Sequence, residues 1–211
     1  MRTPQLAEQF EDPQKQAHAA LLGMWIFLGS EVLLFAGLFA LYGAYRAMYP
    51  ADFTAAIAHD NVAIGTANTF ILITSSLTVV LAVHEARQGR LRRTALFLWA
   101  SLLFGVAFLS LKGMEYVEHF RDGLLPGAGY RYAELPGYGA KMFFTLYYLM
   151  TGLHAIHVIG GMVVLGWVLM GCRRGRYSAA YHTPVELGGL YWHLIDIIWI
   201  FLWPLLYLTH R

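Results

Sequence analysis

Apolar residues gather into five stretches, approximately Leu21 to Tyr45, Val62 to Val83, Ala95 to Tyr116, Phe143 to Met170 and Gly188 to Leu208, with polar and turn-forming residues between them. Each is long enough, at about 1.5 Å per helical residue, to cross a hydrocarbon core of about 30 Å. The pattern predicts an all-α fold: a polytopic membrane helical bundle with five transmembrane helices, forming a single membrane domain over residues 1–211. The connections read as interfacial loops. Tyr49-Pro50-Ala51-Asp52 breaks the chain after the first span, Arg87 to Arg93 separates the second from the third, and Pro126, Gly127, Gly129, Pro136 and Gly137 punctuate the longest loop.

Ionisable residues inside these spans change the picture, because a charged side chain at mid-bilayer costs roughly 3 kcal/mol on insertion scales and therefore faces a partner helix, an ion path or a bound polar group. Glu31 lies in the middle of the first span. In the third, Lys112 and Glu115 are three residues apart, on one helical face, where they can neutralise each other; a structural polar pair outweighs a proton carrier, since an unpaired buried charge is the costlier arrangement. Glu118 and His119, one turn further on, fall near the interface, where hydration suffices to explain them. The fourth span holds His154 and His157 on a shared face, with Gly152, Gly160 and Gly161 allowing close helix approach. Two histidines at this spacing could bind metal, but a stable site needs ligands converging from other spans, and hydrogen bonding to neighbouring helices is the simpler reading. In the fifth span His193 and Asp196 are again three apart. A carboxylate there can fix the imidazole's tautomer, which suits a proton relay or a static interhelical bond, and the static reading is favoured. Thr66, Asn68, Thr74, Ser75 and Ser76 of the second span read as helix glue.

Composition agrees with the hydropathy: 58% of the 211 residues are hydrophobic and 13% charged, against about 25% charged in an ordinary soluble domain. The formal net charge of +2 gives no nucleic-acid footprint. Cys172 is the only cysteine, which excludes an intramolecular disulfide and a cysteine-based zinc or iron–sulfur site. Met1 to His18 carries Glu8, Glu11 and Asp12 and lacks an apolar core, so it reads as neither a secretory signal nor a typical transit peptide. In a five-span topology Arg2, Lys15, Arg87, Arg90, Arg92, Arg93, Arg173, Arg174 and Arg176 share the amino-terminal side; Arg46, Arg121, Arg131, Lys141 and Arg211 lie on the other, with Lys112 inside a span. That excess places the amino terminus inside and the carboxyl terminus outside. Nucleotide-binding glycine runs, zinc-protease and hydrolase signatures, and a CxxCH haem attachment site are all missing from the sequence.

Five segments, in order, resemble subunit III of the haem-copper oxidases. They are Gly23-Met-Trp-Ile-Phe-Leu-Gly-Ser-Glu-Val-Leu-Leu-Phe35, Asn68-Thr-Phe-Ile-Leu-Ile-Thr-Ser-Ser-Leu-Thr78, the Leu111 to His119 stretch with its Glu115-Tyr116, Thr151-Gly-Leu-His-Ala-Ile-His-Val-Ile-Gly-Gly161 and Tyr191-Trp-His-Leu-Ile-Asp-Ile-Ile-Trp-Ile-Phe201. The resemblance implies an accessory subunit of a proton-pumping terminal respiratory oxidase that reduces oxygen to water, resident in a bacterial inner membrane and performing no chemistry itself. It implies no cofactor in this chain, haem and copper in the partner subunit I, further contact with subunit II and other small subunits, and phospholipid held in a cleft between helices. It implies support of proton uptake into subunit I and protection of that subunit during turnover. Glu31 matches the family's buried glutamate that reacts with hydrophobic carbodiimide. Glu115, His154, His157, His193 and Asp196 match its intramembrane polar positions, read with Lys112 as a lipid-contacting or structural network.

Two departures stand out. Longer members have seven helices, and this chain begins at the equivalent of their third; Lys112 stands where an uncharged residue is expected. Two other readings use the same residues: an accessory subunit of a nitric oxide reductase, and a membrane di-iron oxygenase built on His154, His157, His193 and the carboxylates. The second has only one His-x-x-His where such enzymes carry several histidine boxes.

Overall fold

The computed structural model describes Phe10 and residues 12–209; Arg2 and Arg211, which enter the charge count, and Glu8 and Glu11 lie outside these. The described residues form α1 (Pro13–Met48), α2 (Pro50–His59), α3 (Val62–Arg87), α4 (Leu91–Asp122), a 3-10 turn (Gly127–Gly129), α5 (Tyr138–Arg173), α6 (Thr183–Trp203) and a π-helical turn (Pro204–Leu208). Five of these elements are long and apolar enough to cross a membrane, α6 doing so together with the π turn. The protein is an all-α multi-pass membrane bundle.

Local sequence sets the ends. Asp12 caps α1 by accepting from the Gln14 amide at 3.0 Å, and Pro13 occupies the first turn, where its missing N–H costs nothing. Asn61 caps α3 through the amides of Ala63 and Ile64. Gly123, with φ of 80°, closes α4 in the left-handed conformation that glycine adopts without steric cost. The segment after Tyr49, expected as a loop, is instead the ten-residue helix α2. Its Phe53, Ala56 and Ile57 are fully buried, the i, i+3, i+4 spacing of an amphipathic helix, and its Asp52 accepts from the Gly139 amide at 2.9 Å, capping the otherwise uncapped start of α5.

Helices α3 to α6 make a four-helix body in which α3 lies beside α4 and α6, and α5 beside α4 and α6; α1 packs outside it, mainly on α5 and α6. The buried positions of α4 are Thr94, Leu98, Ser101, Gly105, Phe108, Lys112, Glu115 and His119. They alternate steps of four and three, a strict seven-residue repeat, which winds a helix gently left-handed around its neighbours. Trp192 enters between α4 and α5 because both helices offer glycine there: a Cβ at Gly161 would stand 2.8 Å from its ring and one at Gly105 3.1 Å. Pro204 ends α6 by removing an N–H and crowding the preceding turn, and the chain widens into the π turn. Carbonyls freed there are taken up by α1, with Tyr42 Oη donating to Leu205 O at 2.7 Å and Arg46 Nη2 to Thr209 O at 2.6 Å.

Candidate functional site

Lys112 and Glu115 do meet, Nζ to Oε2 at 3.1 Å, with side chains 3% and 1% exposed. Nζ also donates to Tyr147 Oη and Tyr207 Oη, both at 2.7 Å, and these hydroxyls in turn donate to Glu115 Oε1 at 2.7 and 2.6 Å. All three ammonium protons and both carboxylate oxygens are thereby committed. The indole of Trp199 closes over the group, its ring 5.4 Å from Nζ. A closed unit of this kind repays the desolvation of two charges and leaves no polar atom without a partner.

Glu31 is placed differently. His157 Nε2 lies 2.8 Å from Glu31 Oε2, and the two side chains keep 13% and 15% of their surface exposed at the outer seam between α1 and α5. His157 Nδ1 is 2.8 Å from Leu153 O, and a carbonyl oxygen only accepts, so Nδ1 carries a proton. The contact with Glu31 is then a hydrogen bond only when the pair holds one further proton, either as carboxylate with imidazolium or as carboxylic acid with imidazole. Without it two lone pairs would oppose each other at 2.8 Å. Glu31 and His157 together are therefore a one-proton site at the edge of the bundle.

The remaining polar residues stay apart. His154, fully buried, sits between the rings of Phe108 and Trp199, and neither of its nitrogens bonds to another described residue. His157, on the same helical face, has both its ring nitrogens engaged elsewhere, by Leu153 O and Glu31. His193 turns to α3, its Nδ1 2.7 Å from Ser76 Oγ, so the serine and not Asp196 orients it. Asp196 is buried one turn on, its oxygens without a hydrogen-bond partner among the described residues. Of the second-span hydroxyls, Ser75 accepts from the indole of Trp192 at 3.1 Å; Thr69, beside the residues singled out from sequence, accepts from that of Trp199 at 3.0 Å. Thr66 and Thr74 bond to their own helix.

One pair was not legible in the sequence. His119, expected to be hydrated, is buried against Phe144 and Tyr147, and its Nε2 lies 3.2 Å from Oδ1 of Asp60, a residue between α2 and α3 whose side chain is fully enclosed. Burial pushes the Asp60 carboxyl above the usual carboxylate range, opposed by its contact with His119. Recognising the α2 pattern at Phe53, Ala56 and Ile57 would have brought Asp60 under cover. Among the described residues no group of three or more His, Cys, Asp or Glu converges as a metal ion requires.

With this geometry in view, the likeness to known proteins is informative. The family model for cytochrome c oxidase subunit III matches residues 14–210. The chain is 34% identical over 197 residues to cytochrome c oxidase subunit 3 of Thermostichus vulcanus, covering 90% of this chain and 88% of that one. It is 28% identical to quinol oxidase subunit 3 of Bacillus spizizenii, covering 89% and 86%. With the cytochrome c oxidase subunit 3 of Oncorhynchus clarkii the identity is 31%, over 88% of this chain but 67% of the longer fish protein. These names favour an oxidase over the nitric oxide reductase and di-iron oxygenase readings, and against the di-iron reading His157 pairs with Glu31 and His193 with Ser76, while both His154 nitrogens lack a partner among the described residues. A match across every membrane-spanning element places the chain in the cytochrome c oxidase subunit III family.

Proposed function

We propose that this chain, as the accessory subunit III of a terminal oxidase, sustains proton supply to an oxygen-reducing subunit I through the pair formed by Glu31 and His157. The supporting observation is the 2.8 Å contact of His157 Nε2 with Glu31, which is a hydrogen bond only when the pair holds one further proton, at a partly exposed seam between α1 and α5. In this reading haem and copper belong to subunit I, subunit II and smaller subunits complete the complex, and phospholipid fills the space beside α1. Lys112, Glu115, His154, His193 and Asp196 serve the packing of the bundle. The amino terminus lies on the cytoplasmic side of a bacterial plasma membrane and the carboxyl terminus on the periplasmic side, as the arginine excess favours.

Family resemblance and geometry support the proposal jointly. A carboxyl–imidazole pair holding one proton can hand it on and regain it with little rearrangement, because both protonated forms share one hydrogen bond. The test replaces Glu31 with Gln and, separately, His157 with Gln in the purified complex. Slower proton uptake and faster loss of activity during turnover are expected from each; unchanged uptake, activity decay and bound lipid in both variants would remove the pair from the mechanism.

A further inference from the structure

The turn joining α3 to α4 concentrates positive charge that the protein neutralises only in part. Arg87, Arg90, Arg92 and Arg93 fall within seven residues, and the carboxylates facing them are Glu186 and Glu85. Glu186 is taken by Arg87, at 2.8 Å. Glu85 is left between two guanidiniums, Arg90 Nη1 at 3.6 Å and Arg93 Nη1 at 3.8 Å, distances too long for hydrogen bonds, so both arginines keep their donors while 53% and 64% exposed. Arg92 is exposed and forms no ion pair or hydrogen bond with any described residue. Gly89, whose φ of 72° makes the turn tight, brings in the α5–α6 connection at Ala179. That segment carries Arg173, Arg174 and Arg176, all exposed.

Arg90, Arg92 and Arg93 border an open hollow of about 510 Å³, lined also by Gly89 and Leu91. Directly below it along α4, in steps of four, three and four from Arg92, run Leu96, Trp99 and Leu103, exposed by 66%, 48% and 64%. One leaflet of a bilayer is about 15 Å of hydrocarbon, or about ten helical residues. Arg92 to Leu103 is that depth. Three guanidiniums with free donors at the headgroup level, set against the single carboxylate of Glu85 and so in excess by two positive charges, and an apolar line of one leaflet's length beneath them match a single molecule with a phosphodiester anion and an acyl chain.

We propose that this turn is a binding site for one anionic glycerophospholipid, its phosphodiester on Arg90, Arg92 and Arg93 and one acyl chain along Leu96, Trp99 and Leu103. A zwitterionic lipid would bring its own cation to the arginines and lose the preference. The site lies on the far face of α4 from the helices that carry Glu31 and His157, and it rests only on the chain spanning a membrane, so its failure would leave the proton-supply reading intact.

The test uses the whole complex in phosphatidylcholine bilayers doped with a small fraction of either phosphatidylglycerol or phosphatidylcholine bearing a photoreactive acyl chain, with labelled peptides mapped by mass. Labelling of the Leu96 to Leu103 segment should be at least about five-fold higher with phosphatidylglycerol, the factor that one arginine at a membrane surface contributes, and should fall toward the phosphatidylcholine level in high salt. Arg92→Gln should lower it by about five-fold and Arg92→Lys much less. Equal labelling by the two lipids in the parent complex, which needs no variant, would overturn the proposal. So would protection of the segment from both lipids, which would mark a protein partner there, or displacement of the label by inorganic phosphate alone, which would mark an anion site without a lipid.

Discussion

Glu115 and Glu31 are both carboxyls on membrane helices, and each meets one basic side chain at close to 3 Å. What separates them is the number of partners left over. Around Glu115 two tyrosines and a lysine give every donor and both carboxylate oxygens a partner, and the group lies where four elements meet. Around Glu31 there is one imidazole, one shared proton and an open edge. A carboxyl beside a basic side chain is thus a fixed part of the interior in one place and a pair sharing one proton in the other, and what differs is closure of the hydrogen-bond network.

The largest effect should come from opening the closed network. Lys112→Met leaves the Glu115 carboxylate buried with two tyrosines and no cation, and a cost of about 3–5 kcal/mol is expected, read as lost thermal stability of the complex in detergent. Adding Glu115→Gln to that variant should recover most of it; a single variant costing less than about 1 kcal/mol would break the contrast with Glu31. Tyr207→Phe removes one hydroxyl that both accepts from Lys112 and donates to Glu115, and should cost about 1–3 kcal/mol by the same measurement. Glu31→Gln should cost no more than about 1 kcal/mol, because the group is at the edge and glutamine can still bond to His157. The sharper comparison is chemical. A hydrophobic carbodiimide, which attacks protonated carboxyls reachable from the membrane, should modify Glu31 and spare Glu115; peptide mapping that finds Glu115 labelled would undo the distinction.

The smallest effect concerns the third acid, Asp60, which lies between these extremes, enclosed but with a single histidine. Because burial raises its folded pKa, the neutral acid is the form the fold prefers, so its contribution is complete below the unfolded carboxyl's pKa of about 4 and is lost as pH rises through the raised value. Asp60→Asn should therefore gain melting temperature relative to the parent between pH 5 and pH 8. A relative loss over that range would show that attraction to His119 outweighs desolvation.

Five membrane helices were legible because hydropathy over twenty residues averages out local detail. The ten-residue α2 was hidden by Pro50 at its first position, which reads as a break, and by a short apolar pattern that also fits a loop. The bond between Lys112 and Glu115 was legible because i, i+3 spacing forces proximity on a helix. Its tyrosine partners are 35 and 95 residues away from Lys112, and no local pattern points to them. His193 and Asp196 have the same spacing as Lys112 and Glu115, yet His193 pairs with Ser76, because α6 lies against α3 and offers a hydroxyl at that level. Spacing reports which side chains can meet; the neighbouring helix decides which do.

The position of α1 bears on how the protein is made. Its anchors are His157, 126 residues downstream of Glu31, and the carbonyls of Leu205 and Thr209, each 163 residues beyond the α1 side chain that holds it. At about 5–20 residues per second of synthesis, Glu31 is made roughly 6–25 s before its histidine exists. During that interval the insertion machinery or a protonated carboxyl must carry the burden, and α1 is seated only after the helices that anchor it have been made. Trimming the final turn of the chain should therefore loosen its beginning.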